Sequence, residues 1–210
     1  MTQDGSRYPC TNARLPGFPE ADDPAWEGAA RAQLADTVTG GIPFLLTEFR
    51  ALRDDAAGMM YVRFLAEDDA VAATFRLDDE CLWKQDVFEM FIGTGDDPGA
   101  YVELEASPYD VRFTGEIRGG GTPQRTLDMD LEVPGFMTKT RYYPQKSQTV
   151  SVWRIPYSAF AHGRRPGEGI RVNLFRVDYS GRGVDLQAWQ PTGKRDFHVP
   201  EKFGYFDFTA

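Results

Sequence analysis

The sequence predicts an all-β protein: a single antiparallel, jelly-roll-like β-sandwich of about ten strands, with one short N-terminal helix. Two observations carry this. The 21 Gly and 14 Pro occupy one position in six of the 210, so regular elements must be short and turns frequent. Apolar residues also recur at every second position through most of the chain, the period of strands.

Residues 1–24, rich in Pro, Asp and Gly, are expected as an irregular lead-in to a domain spanning 25–210. AWEGAARAQLA (25–35) follows the helix-start signal Asp-Asp-Pro and is Ala-rich, which predicts the one helix. Segments 47–53 and 59–65 flank the turn-forming DDAAG and predict a hairpin. Segment 86–92 (DVFEMFI) is apolar on both faces, as a central strand covered on both sides requires. In 101–107, Val102, Leu104 and Ala106 point one way and Tyr101, Glu103 and Glu105 the other. Further strands are expected at 110–117, 127–133, 137–143, 149–155, 170–179, 185–189 and 205–209, separated by loop-like stretches such as GGGTPQ and PTGKRD.

Charge narrows the partners. Lys and Arg number 23 against 32 Asp and Glu, a net charge of −9. That balance argues against duplex nucleic acid or an anionic membrane, both of which need clustered cations. No apolar run approaches the roughly 18 residues of a membrane-spanning helix. The start, MTQDGSRYPC, has neither a basic segment nor an apolar stretch and so does not read as an export signal. Cys10 and Cys81 are far apart and form no C-x-x-C motif, which leaves their pairing open. Two histidines, His162 and His198, are too few for a His-rich metal site. His162 falls in a loop-like stretch and His198 beside Phe197; surface or packing roles are expected for both. P-loop, nucleophile-elbow and zinc-protease motifs are absent.

Three glutamates and an arginine interrupt otherwise apolar patterns. Glu89 shares a strand face with Val87 and Phe91, and a carboxylate in such a row costs several kcal/mol unless something satisfies it. Glu103 and Glu105 form an acidic stripe on the next strand, and Arg176 interrupts the Val172/Leu174 face. A buried Glu89–Arg176 ion pair that sets strand register is one reading. The other is a polar concave face that hydrogen-bonds a hydroxyl-rich ligand. Trp83 lies in a charged turn just before a strand, where an indole can stack on the apolar face of a sugar ring or cap the end of the sandwich. Trp153 alternates with Val150 and Val152 and is expected in the core.

Trp83-x-x-Asp86-x-x-Glu89-x-Phe91 resembles a segment of the family 9 carbohydrate-binding modules, within the DOMON-like group of β-sandwiches. Asn173-Leu-Phe-Arg176, Trp189-x-Pro191-Thr192 and the closing Phe197-His198-x-Pro200-x-x-Phe203-Gly204 resemble later family segments in the same order. The resemblance implies non-catalytic binding of a carbohydrate ligand between two aromatic walls, Trp83 and Phe197, with polar contacts from Glu89, Glu103, Glu105 and Arg176. Glu103 and Glu105 stand where the best-known sugar-binding members carry Arg and Asn. Trp189 is expected as core or rim support. The resemblance implies no required cofactor, although members hold structural calcium, for which Asp68, Asp69, Asp78 and Asp79 are candidate donors. It also implies work outside the cell. Three alternatives stand beside it: a glycoside-acting enzyme using paired carboxylates, a scaffold or adaptor with a degenerate sugar site, and a haem site using His198 and a methionine.

Overall fold

The computed structural model describes residues 6–160 and 169–208; His162 lies outside them. The strands are β1 (Arg7–Pro9), β2 (Thr11–Asn12), β3 (Ala32–Gln33), β4 (Ala35–Asp36), β5 (Thr47–Asp54), β6 (Met59–Glu67), β7 (Val87–Gly93), β8 (Tyr101–Ala106), β9 (Arg112–Arg118), β10 (Thr126–Asp128), β11 (Met137–Tyr143), β12 (Gln148–Pro156), β13 (Ile170–Ser180), β14 (Gly183–Ala188) and β15 (Gly204–Asp207). They form two sheets. The larger runs β1-β15-β13-β7-β8-β9-β10, with β14 pairing β13 and β4; the smaller runs β11-β12-β6-β5-β2, with β3 on β5. The long central ladders are antiparallel, and short connections join β5 to β6 and β7 to β8.

The period of two sorts each strand of the large sheet cleanly. Phe88, Met90 and Ile92 of β7, Val102, Leu104 and Ala106 of β8, and Val172 and Leu174 of β13 point inward. There they pack with Phe49, Phe64 and Trp153 of the small sheet. The outward residues of the same strands, including Phe91, Tyr101, Phe113 and Phe175, join a second apolar cluster with Phe197 and Phe203 from the C-terminal loops. The large sheet is therefore covered on both faces, as the doubly apolar sequence of β7 anticipated.

Three local expectations are corrected. The stretch expected as a helix over 25–35 is one 3-10 turn, Pro24–Gly28, followed by β3 and β4. Asp23 accepts from Ala25 N–H at 2.9 Å and the Trp26 indole donates to the Glu20 carbonyl at 2.8 Å, which anchors the turn. An isolated helix this short is marginal, and pairing with β5 and β14 satisfies the remaining backbone instead. The strand expected at 127–133 is reduced to the three-residue edge strand β10, where Leu127 lies partly over Gly115 and Met129 just beyond it stays exposed. The lead-in is not wholly irregular: β1 lies parallel to β15 and β2 parallel to β5, one in each sheet. Tyr8 and Cys10 are buried along this strap. Cys10 and Cys81 are unpaired. Trp153 and Trp189 are buried in the inter-sheet core, and Trp189 meets Tyr8 and Phe49 edge-on.

Candidate functional site

Four strands contribute one residue each to a single transverse row on the outer face of the large sheet. Phe175 of β13 pairs with Glu89 of β7, Glu89 with Glu105 of β8, and Glu105 with Phe113 of β9. At about 4.8 Å per strand, the two phenylalanines stand roughly 14 Å apart, with two glutamates between them. In the neighbouring row Glu103 lies between Phe91 and Gly115. A Cβ at position 115 would come within 2.6 Å of Leu127, so glycine there makes room for the β10 side chain to fold over the sheet.

Aromatic walls rise from both ends of the row. Phe197 stacks on Phe175 with centroids 4.3 Å apart and an interplanar angle of 15°. Trp83 meets Phe113 edge-on at 5.3 Å. Trp83 sits in the 3-10 turn Leu82–Lys84, anchored by buried Leu82, and remains half-buried. Phe197 is held by a compact turn in which Asp196 accepts from His198 N–H at 3.0 Å and Val199 N–H donates to the Phe197 carbonyl. Between the walls is a cavity of about 340 Å³, lined by Trp83, Glu89, Glu103, Arg125, Phe197 and His198 among others. Five of the six residues expected at the site thus meet on one face: Trp83, Glu89, Glu103 and Phe197 line the cavity, and Glu105 lies behind it.

Arg176 does not. It lies on the inner face, cross-strand from Phe88 and with its guanidinium over that ring. It is paired with Asp178 and lies 3.6 Å from Asp68, and it donates to the Glu67 carbonyl at 2.7 Å. The expected Glu89–Arg176 ion pair is therefore not formed. Glu89 faces Phe175, and a single-residue step along a strand moves a side chain to the other face.

The three glutamates are 2%, 3% and 0% exposed at positions 89, 103 and 105, and oxygens from all three lie within 4.8 Å of one another. Among the described residues none of them is in an ion pair, and Glu89 Oε1 and both Glu105 oxygens lack a hydrogen-bond partner. Burial, reinforced by their mutual repulsion, pushes Glu89 and Glu105 well above the usual carboxylate range. Burial raises Glu103 to about 7, opposed by its contact with Glu105 and by Arg125. Near neutral pH the cluster therefore holds protons.

Sequence reasoning missed the rim. Arg125 and Arg195 line the cavity, and Arg125 pairs with Asp196 at 3.5 Å. His198 stacks on Phe91 at 5.0 Å, with its Nδ1 2.8 Å from Tyr101 Oη. Burial lowers its pKa to about 4, so it is neutral at pH 7. These residues come from loops without periodicity, and only the position of His198 within the closing motif could have flagged it. Among the described residues no methionine lines the cavity, which leaves His198 there without the partner a haem site needs.

The four aspartates considered for calcium do not assemble. Among the described residues no three of them bring oxygens within 4.8 Å. Asp78 binds Arg112, Asp69 pairs with Arg182 at 3.7 Å, and Asp79 accepts from Thr114 N–H. Asp68 clusters instead with Asp86 and Asp178 around the Arg176 guanidinium. That set holds one guanidinium among three carboxyls, and the four aspartates first considered do not form a single ion site among the described residues.

The comparisons agree with this architecture. A candidate carbohydrate-binding protein from Bacteroides uniformis superposes with a TM-score of 0.76 at 17% identity, over 96% of this chain and 98% of that one. A family 9 carbohydrate-binding module from Caldicellulosiruptor kristjanssonii superposes with a TM-score of 0.63 in complex with cellotriose and 0.60 in complex with glucose. Those two matches are at 15% and 14% identity, each over 96% of this chain and over 92% and 94% of the module. A curated "Extracellular protein" of Arthroderma benhamiae is 29% identical over 139 residues, 61% of this chain and 62% of that protein, so the match spans about three fifths of the relative. The family model "Carbohydrate family 9 binding domain-like" matches residues 20–209, almost the whole chain, and the protein belongs to that family.

Proposed function

We propose that this protein is a non-catalytic carbohydrate-binding module whose site is the aromatic-walled cavity on the outer face of the large sheet. The observation that carries the reading is the in-register row Phe175–Glu89–Glu105–Phe113, with Phe197 stacked on one end and Trp83 packed on the other. Aromatic faces receive the apolar C–H side of a sugar ring, and carboxyl groups between them receive its hydroxyls. The complexes of similarly folded modules with cellotriose and glucose support this choice of ligand class.

Catalysis fits the geometry less well. Glycoside cleavage with retention needs one ionised nucleophile and one protonated acid, set apart by different environments. Here burial pushes all three carboxyls upward together. Tryptophan fluorescence titrated with a panel of mono- and disaccharides tests the proposal. A saturable change in the wild type, weakened about tenfold or more in Trp83→Ala, is expected. A folded protein that responds to no sugar overturns it. Reducing ends released by the wild type and lost in Glu89→Gln would favour the enzymatic alternative.

A further inference from the structure

The cavity floor has a chemistry that a neutral sugar does not exhaust. Glu89 and Glu103 line it, Glu105 lies directly behind, and all three are at least nine-tenths buried. Glu89 Oε1 and both Glu105 oxygens have no donor, and no Lys or Arg pairs with any of the three among the described residues. We infer that this floor selects a sugar bearing a free ammonium group, a hexosamine as monosaccharide or chain end, with its N–H donors directed at Glu89 and Glu103 and the Glu105 carboxyl beside them. The inference rests on the sugar-binding reading above.

Stoichiometry and spacing both fit. An ammonium group presents three donors and no acceptor, and its charge draws off to solvent the protons that burial otherwise holds on these carboxyls, leaving them acceptor-only. Acceptors placed tetrahedrally around such a nitrogen at ~2.8 Å are ~4.6 Å apart, within the separation of the three glutamate oxygens. A calcium ion fits less well. It takes about six to eight oxygen ligands, and much of the remaining wall is Trp83, Ile117, Leu127, Val177, Leu186 and Phe197. The rim cations oppose an ammonium ligand only weakly. Arg125 is exposed and tied to Asp196, and Arg195 is exposed, so solvent screens both, whereas the floor is buried.

Calorimetric titration at neutral pH with glucosamine, glucose and N-acetylglucosamine tests the inference, each with and without calcium. The wild type is expected to bind glucosamine about tenfold or more tighter than the other two. In Glu103→Gln, an isosteric change that removes the ionisable group, the ratio of glucosamine to glucose affinity should collapse toward one. Trp83→Ala should weaken all three. The β-1,4-linked glucosamine dimer separates the sources: binding tighter than the monomer assigns a chain end, and equal binding a free hexosamine. Glucose bound as tightly as glucosamine overturns the inference and leaves the sugar site standing. Calcium that displaces glucosamine and itself binds the wild type but not Glu103→Gln overturns it in favour of a metal site. No binding of any sugar overturns both readings.

Discussion

Glu89 and Glu105 face each other as register partners on adjacent strands, both buried and neither paired with a cation. Like charges directly opposite in a sheet destabilise it. Such a pair persists because burial keeps it protonated, and the fold tolerates it at the centre of the one face where the sheet is flanked by aromatic walls. The consequences are measurable in stability as well as in binding.

The first concerns pH. All three glutamates have folded-state pKa values raised by burial, Glu103 to about 7. The folded state therefore holds protons more tightly than the unfolded chain. The stability this contributes is fully present below the unfolded value, about 4.3, and is lost as pH rises through the folded values. Tm should fall between about pH 5 and about pH 8, and Glu105→Gln should flatten that slope and raise Tm at the upper end. Thermal melts across this range check the prediction; a wild-type profile as flat as that of the variant refutes it.

Arg176 supplies the cation of the aspartate cluster on the opposite face. Asp178 is already raised to about 7 by burial, with the guanidinium opposing. Arg176→Met strands Asp68 and Asp178 without a cation and should cost roughly 3–5 kcal/mol in denaturant unfolding. Sugar affinity of the folded fraction should be unchanged, because Arg176 points away from the cavity. Loss of binding with stability intact would place Arg176 in the site after all.

Gly120 lies against the Tyr101 ring, so closely that a Cβ there would collide with it. Gly120→Ala should displace Tyr101, break its contact with His198 and loosen the cavity wall. The expected cost is about 1–3 kcal/mol of stability, with a parallel weakening of ligand-induced fluorescence change. An unaltered titration would show that the Tyr101–His198 contact does not shape the site.

One hydroxyl adds to the strand pairing that holds the N-terminal strap. Tyr8 Oη accepts from Ala51 N–H at 2.7 Å and donates to the Ala30 carbonyl at 2.6 Å. Tyr8→Phe leaves that buried N–H without a partner and should cost about 1–3 kcal/mol with little change in the denaturant slope. Equilibrium urea unfolding decides this; a change within error would mean that the strap adds little.

Much of the site is legible in the amino-acid sequence. Alternation in YVELEA places Glu103 and Glu105 on one face, and the interrupted apolar row marks Glu89. The motif around Trp83 identifies the first wall. Phe197 enters only through family resemblance, since nothing in its loop has a period. Arg125, Arg195 and Asp196 could not be placed, because loop residues join a site by where the chain returns. The helix expected at 25–35 fails for a related reason: local propensity is outweighed by strand pairing with distant partners.

Period-two patterning by itself determined that this chain builds a sandwich, which side chains share a face within each strand, and that carboxylates interrupt an apolar face of the central strands. It could not determine register between strands. Only the tertiary structure decided that Glu89 opposes Glu105 and Phe175, and that Arg176 aligns with Phe88 on the other side of the same sheet. The physical reason is that alternation fixes side-chain direction along one strand, whereas pairing depends on long-range hydrogen bonding and on burial of both faces at once.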